Sequence, residues 1–121
     1  MWNEKYKDRI AIYDYYIPVM DMVALGLGMK PNEISDATLP KIRDGLFRMK
    51  DVARTVSDVV ASQTALATGE VDILIGGGEW AIATLTDENP NFEWVLPEQG
   101  GILWAQSLAV FETSQIGRAH V

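Results

Sequence analysis

Apolar residues along this chain fall into two rhythms. Short continuous runs alternate with longer stretches in which they recur every three or four positions. Arg9-Ile10-Ala11-Ile12-Tyr13-Asp14 is a short apolar run bounded by polar residues and predicts a buried strand. Tyr16 to Gly28 follows at helical spacing, with Val19, Met22, Val23 and Leu27 on one side and Pro18 in the first turn. Gly26 and Gly28 predict its end, and Lys30-Pro31-Asn32 predicts a turn. A second helix starts from a cap at Asp36 or Thr38. Its apolar face is read as Leu39, Ile42, Leu46, Phe47 and Met49. Arg54-Thr55-Val56 predicts a very short strand. Ser57 or Asp58 then caps a third helix, Val59 to Thr68, which stops at Gly69.

Val71 to Ile75 is almost wholly apolar, as a parallel strand covered on both faces must be. Glu79 to Asp87 reads as a fourth helix, ended by Glu88-Asn89-Pro90. Phe92 to Leu96 and Ile102 to Phe111 read as two more strands. Helices and strands therefore alternate, which predicts an α/β fold with a mostly parallel sheet flanked by helices. No internal repeat or low-complexity linker interrupts the pattern.

Composition narrows the function classes. A chain of 121 residues with 48% apolar and 22% charged residues can bury a core of its own. The formal charge of −7 argues against nucleic acid as a partner, because that surface demands bases. Without cysteine there is no disulfide, zinc thiolate or cysteine nucleophile. No apolar run approaches the roughly 20 residues of a bilayer span, so direct membrane insertion is not expected. The single histidine, His120, lies in Ile116-Gly117-Arg118-Ala119-His120-Val121, which continues no earlier pattern. Those six residues also read as the in-frame translation of a common sequencing adapter. Residues 116–121 are therefore expected to be an artefact and stand outside the fold reading. Setting them aside leaves nine bases against 17 acids.

Candidate chemistry gathers at strand ends. In open α/β sheets, ligands bind outside the carboxyl ends of strands, and Tyr13, Asp14, Tyr15 and Tyr16 close the first strand. Alternation would set Tyr13 and Tyr15 on one side and Asp14 on the other. Gly76-Gly77-Gly78 ends the strand before the fourth helix, where bare backbone can approach a ligand beside a helix N-terminus. It is not a phosphate-binding Walker loop, since no Gly-Lys-Ser/Thr follows. Glu79 and Trp80 open that helix. Trp104 and Gln106 share one side of the last predicted strand, a tryptophan platform beside a hydrogen-bonding amide. Ser57 and Ser62 are weaker candidates for ligand contact. Each of these has an ordinary alternative in packing, capping or solvation. No catalytic set assembles: there is no base–nucleophile pair and no metal-ligating cluster. Neither a cofactor nor a metal is expected.

Three anchors carry a family resemblance. They are Trp2-x-x-x-Tyr6-Lys7, Gly69-Glu70-Val71-Asp72, and Pro97-Glu98-x-Gly100-Gly101-Ile102-x-Trp104. In this order and spacing the chain resembles the spermidine/putrescine-binding family of bacterial periplasmic solute-binding proteins, which serve ABC importers. The resemblance implies one lobe of a type II periplasmic-binding-protein fold, with residues 1–97 as a second-lobe segment and 98–115 returning as a strand toward the first lobe. It also implies periplasmic localisation, a signal peptide upstream, capture of a polyamine or other small solute by lobe closure, and an ABC permease in the inner membrane as partner. The family pattern places a tryptophan at Trp104, an aspartate at Gln106, acids at Tyr15 and Pro18, and a tryptophan at Gly77. The ligand-binding set read from these positions and their neighbours is Tyr15, Asp14, Gly77, Glu79, Trp80, Trp104 and Gln106. Two other readings share the α/β pattern: an effector-sensing domain of a transcription regulator and a small α/β enzyme. The first calls for a basic helix-turn-helix, the second for a nucleophile or base.

Overall fold

The structure, a computed structural model, describes residues 1–113. Its centre is a three-stranded parallel sheet in the order β2-β1-β3. The elements are β1 (Ile10–Tyr13), α1 (Tyr16–Gly26), α2 (Leu39–Val52), β2 (Thr55–Ser57), α3 (Val59–Ala67), β3 (Ile73–Ile75) and α4 (Glu79–Glu88). Short 3₁₀ turns at Glu4–Tyr6 and Pro31–Glu33 precede β1 and α2. On β1, Ile12 stands opposite Val56 on one side and Ile75 on the other. All four β1 residues are buried, which is why its sequence is a continuous apolar run rather than an alternating one.

The chain leaves β1 toward β2, then reverses past β1 to reach β3. Right-handed crossovers in opposite directions put their helices on opposite faces. Two cores result. Ile10, Ile12 and Ile75 meet Val19, Val23 and Ala24 of α1 and Ile42, Met49 and Val52 of α2. Ala11 faces the other way, with Ala65, Leu66, Val71 and Ile82. Burying one such aliphatic side chain contributes about 1.5–3 kcal/mol.

Helices α1 and α2 pack closely because Gly45 has no side chain: a Cβ there would stand 2.6 Å from Val23 Cγ1. Trp2 closes the top of this contact and donates from its indole Nε1 to the Gly45 carbonyl at 2.9 Å. The buried stripe of α2 is thus Ile42, Gly45, Met49 and Val52. Phe47, expected on that face, lies outside and 55% exposed, with the Arg43 guanidinium 6.0 Å from its ring centroid.

At the amino edge, charged residues tie the strands together. Arg9, just before β1, holds Asp72 through Nε at 2.8 Å and through a terminal nitrogen at 2.5 Å. It also donates to the Glu70 carbonyl at 3.2 Å. Arg54, just before β2, donates to the Glu70 carboxylate at 3.1 Å. The Arg9 hydrogen bonds hold the Asp72 carboxyl below the ordinary aspartate value, and Asp72 in turn raises Arg9.

The expected elements from Arg9 to Asp87 all form, most with a residue or two trimmed. The strand expected from Val71 begins at Ile73, because the Val71 N–H turns to the Ala65 carbonyl, 3.2 Å away. Thr38 is the N-cap residue of α2, although its side chain makes no capping hydrogen bond. Asp58 caps α3 by accepting from the Ala61 N–H at 2.9 Å.

The two strands expected at 92–96 and 102–111 are not formed. These segments run without ladder hydrogen bonds. Phe92 packs on the second core, while Leu103, Leu108 and Phe111 are almost wholly exposed. An apolar run becomes a strand only when a neighbour offers its backbone, and β3 pairs with β1 alone among the described residues. The expected artefact at 116–121 lies outside the described residues.

Candidate ligand-binding site

Strand order fixes where a crevice opens. The connections from β1 and β3 run to opposite faces, so the helices following these two neighbours part at the carboxyl edge of the sheet. That divergence makes a ligand crevice in doubly wound α/β folds. Here it is framed by Asp14, Tyr15 and Tyr16 after β1 and by Gly76 to Trp80 after β3.

The register makes these two segments neighbours, since Ile12 and Ile75 are paired just before them. The Asp14 N–H is fixed by the Ser57 carbonyl at 3.0 Å, and its side chain is exposed. Tyr15, the N-cap residue of α1, is 49% exposed and meets Tyr16 edge-to-face at 6.2 Å. Glu79 and Trp80 form the first turn of α4, and both are exposed. Five of the seven expected residues, Asp14, Tyr15, Gly77, Glu79 and Trp80, thus share the carboxyl edge. Trp104 and Gln106 lie in the segment that follows Gly101. Their segment passes with Gly101, Ile102 and Leu103 beside Asp21 and Pro31 at the flank of α1. Both are exposed.

Alternation between Tyr13 and Tyr15 does not hold, because the strand stops at Tyr13 and Tyr15 already starts a helix. Tyr13 is buried, and its ring lies under the glycine loop. A Cβ on Gly76 would stand 3.1 Å from the Tyr13 Cβ, and one on Gly77 would stand 3.1 Å from Tyr13 Oη. Gly76 also adopts φ +104°, a conformation that side chains disfavour. The glycines are therefore required for closeness and turn alike. The Tyr13 hydroxyl is buried without a hydrogen-bond partner, and burial pushes its phenol pKa up. Nothing in the sequence distinguishes such a tyrosine from a core aromatic. Only its packing against Gly77 does.

The serine pair is internal. Ser62 is fully buried, its hydroxyl 2.8 Å from that of Ser57 and 3.2 Å from the Ser57 carbonyl. It joins α3 to β2. An apolar notch of about 210 Å³ adjoins this edge toward β2, lined by Ile12, Tyr13 and Asp14 together with Tyr16 and Val19 of α1, Leu46, Met49 and Lys50 of α2, and Val56. Among the described residues, no three His, Cys, Asp or Glu side chains gather in a group able to hold a metal.

This open parallel α/β unit matches part of a periplasmic-binding-protein fold. The chain belongs to the bacterial extracellular solute-binding protein family, whose sequence model matches residues 1–118. It is 23% identical over 118 residues to spermidine/putrescine-binding periplasmic protein 1 of Haemophilus influenzae, an alignment covering 95% of this chain and 31% of that protein. A solved structure of the spermidine/putrescine ABC transporter substrate-binding protein PotD from Streptococcus pneumoniae, in complex with calcium and HEPES, matches with a TM-score of 0.67. That match has 18% identity and covers 74% of this chain and 27% of PotD. The chain thus spans between a quarter and a third of the length of these relatives. They are named as binding proteins rather than enzymes, in keeping with the family resemblance in the sequence.

Proposed function

We propose that this chain is a ligand-bearing part of the substrate-binding component of an ABC importer. Residues 1–97 form a second-lobe segment, and 98–115 lead back toward a first lobe supplied by flanking sequence. The complete protein captures a small, amine-bearing solute in the periplasm. It closes its lobes around the solute by a hinge motion and delivers it to a permease in the inner membrane.

The observation that carries this reading is the grouping of Asp14, Tyr15, Glu79 and Trp80 around the crevice outside β1 and β3. An alkyl amine needs carboxylates for its ammonium groups and aromatic faces along its methylenes. Asp14 and Glu79 supply the first, Tyr15 and Trp80 the second. Gly77 keeps the floor between them low. Trp104 and Gln106 belong to the returning segment and meet the solute when the lobes close.

A thermal-shift screen on the complete protein tests this, with putrescine, spermidine, amino acids, opines, small carboxylates and sugars. A ligand that binds the native state raises Tm according to its excess over Kd. A shift with amine-bearing compounds is the expected result. A shift with sugars alone would remove the ligand class, and turnover of any compound would remove the binding-protein reading itself.

A further inference from the structure

Of the three helices that begin at the carboxyl edge, α3 has a side-chain cap, whereas the N-caps of α1 and α4, Tyr15 and Gly78, make no capping hydrogen bond. The first N–H groups of any helix have no intrahelical acceptor. In α3 the Asp58 side chain takes that role. In α4 the N-cap is Gly78, which has no side chain to offer, and the loop before it is Gly76-Gly77. Trp80 folds back over this point: a Cβ on Gly78 would stand 3.0 Å from its indole Nε1. Below the loop, Tyr13 brings its hydroxyl against Gly77. That hydroxyl is buried without an acceptor.

Donors therefore border the glycine loop and the helix start that follows it: the Tyr13 phenol at Gly77 and the Trp80 indole N–H at Gly78. The positive end of the helix dipole favours an anion at the N–H groups, and the first-turn carboxylate of Glu79 stands beside it with its side chain exposed. A buried hydroxyl left without a partner costs stability, which marks it as waiting for one.

Building on the solute-binding reading above, we propose that the N-terminus of α4, with the Tyr13 hydroxyl and the Trp80 indole N–H, receives a carboxylate of the solute. The solute class is then an amino-carboxylate. Its ammonium end faces Asp14 and Glu79, and its acid end faces the glycine loop. Glycine at position 77 lets the loop lie directly on the phenol, since a Cβ there would stand 3.1 Å from Tyr13 Oη.

The test is titration calorimetry on the complete protein with three four-carbon probes: putrescine, 4-aminobutyrate and succinate. The expected order places 4-aminobutyrate at least about tenfold tighter than putrescine, the scale of one hydrogen bond to a charged group. Tyr13→Phe should weaken 4-aminobutyrate about tenfold while leaving the Tm of the unliganded protein unchanged or higher. Gly78→Asp installs in α4 the self-cap that α3 already has. It should abolish carboxylate binding, with the Trp80 indole shifting to admit the new Cβ. Putrescine binding more tightly than 4-aminobutyrate, or a Tyr13→Phe protein of unchanged affinity, would overturn the carboxylate assignment and leave the solute-binding reading intact. Failure of all three probes, and of spermidine and the other compounds of the screen, would overturn both.

Discussion

At the amino edge of the sheet, Arg9, Arg54, Glu70 and Asp72 link the starts of all three strands through charge-assisted hydrogen bonds. At the carboxyl edge, some four residues further along the same strands, no ion pair involves Asp14, Asp58 or Glu79 among the described residues. Glycine replaces side chains there, aromatic rings stand half in water, and one hydroxyl is buried without a partner. The contrast separates two tasks. The amino edge spends its polar groups on one another and so fixes register. At the carboxyl edge Asp58, Ser57 and Ser62 are bonded locally, but Asp14, Glu79 and the Tyr13 hydroxyl are left uncommitted among the described residues.

Were the carboxyl edge merely slack, substitutions there would be tolerated, and Gly76→Val is the strongest challenge to that view. It combines a positive φ with contacts to Tyr13 and Val19, and the loss expected is about 3 kcal/mol by chemical denaturation of the complete protein. At the amino edge, Gly69 has φ +74° but open space around it, so Gly69→Ala isolates the backbone effect at about 1 kcal/mol. Equal losses at the two sites would show that Gly76 is not tightly packed.

A smaller effect separates the two edges by pH. The Asp72 pKa is lowered in the folded state, so its contribution is present above the unfolded value near 4 and is lost as pH falls through the folded one. Asp72→Asn should lower Tm at neutral pH by no more than about 2 °C, because the pair is solvent-exposed. It should also flatten the acid limb of the Tm–pH curve. Tyr13 works in the opposite direction. Its raised pKa means that stability falls as pH rises past the ordinary phenol value near 10, and Tyr13→Phe should abolish that alkaline limb. An unchanged acid limb in the first variant, or an unchanged alkaline limb in the second, would remove the corresponding half of the comparison.

Much of the fold is legible in the sequence because its signals are local. The β1 run, the spacing of Ile42 and Met49, the Asp58 cap and the stop at Gly69 each act within a turn or two of chain. The site is legible where it follows from strand ends, as with Asp14, Tyr15 and the glycine loop. It is not legible where it depends on distant packing. Phe47 has the right spacing for the core, yet Gly45 allows α1 to approach so closely that the buried stripe shifts away from it. The runs 92–96 and 102–111 have strand composition, but composition cannot supply a neighbour. The Tyr13 hydroxyl lacks a partner because of a contact 64 residues along the chain, with Gly77.

The position of Trp2 has a spectroscopic consequence. Of the four tryptophans, Trp2 alone is tied into the α1–α2 contact, its indole bonded to Gly45 and faced by the Arg48 guanidinium 5.2 Å from its ring. Trp80, Trp94 and Trp104 each stand about half exposed. Intrinsic fluorescence therefore divides into two signals. A short-wavelength component from Trp2 follows unfolding, and a long-wavelength component, open to aqueous quenchers, follows events around Trp80, Trp94 and Trp104. Acrylamide quenching resolved by emission wavelength can thus read the scaffold and the site from one unlabelled sample.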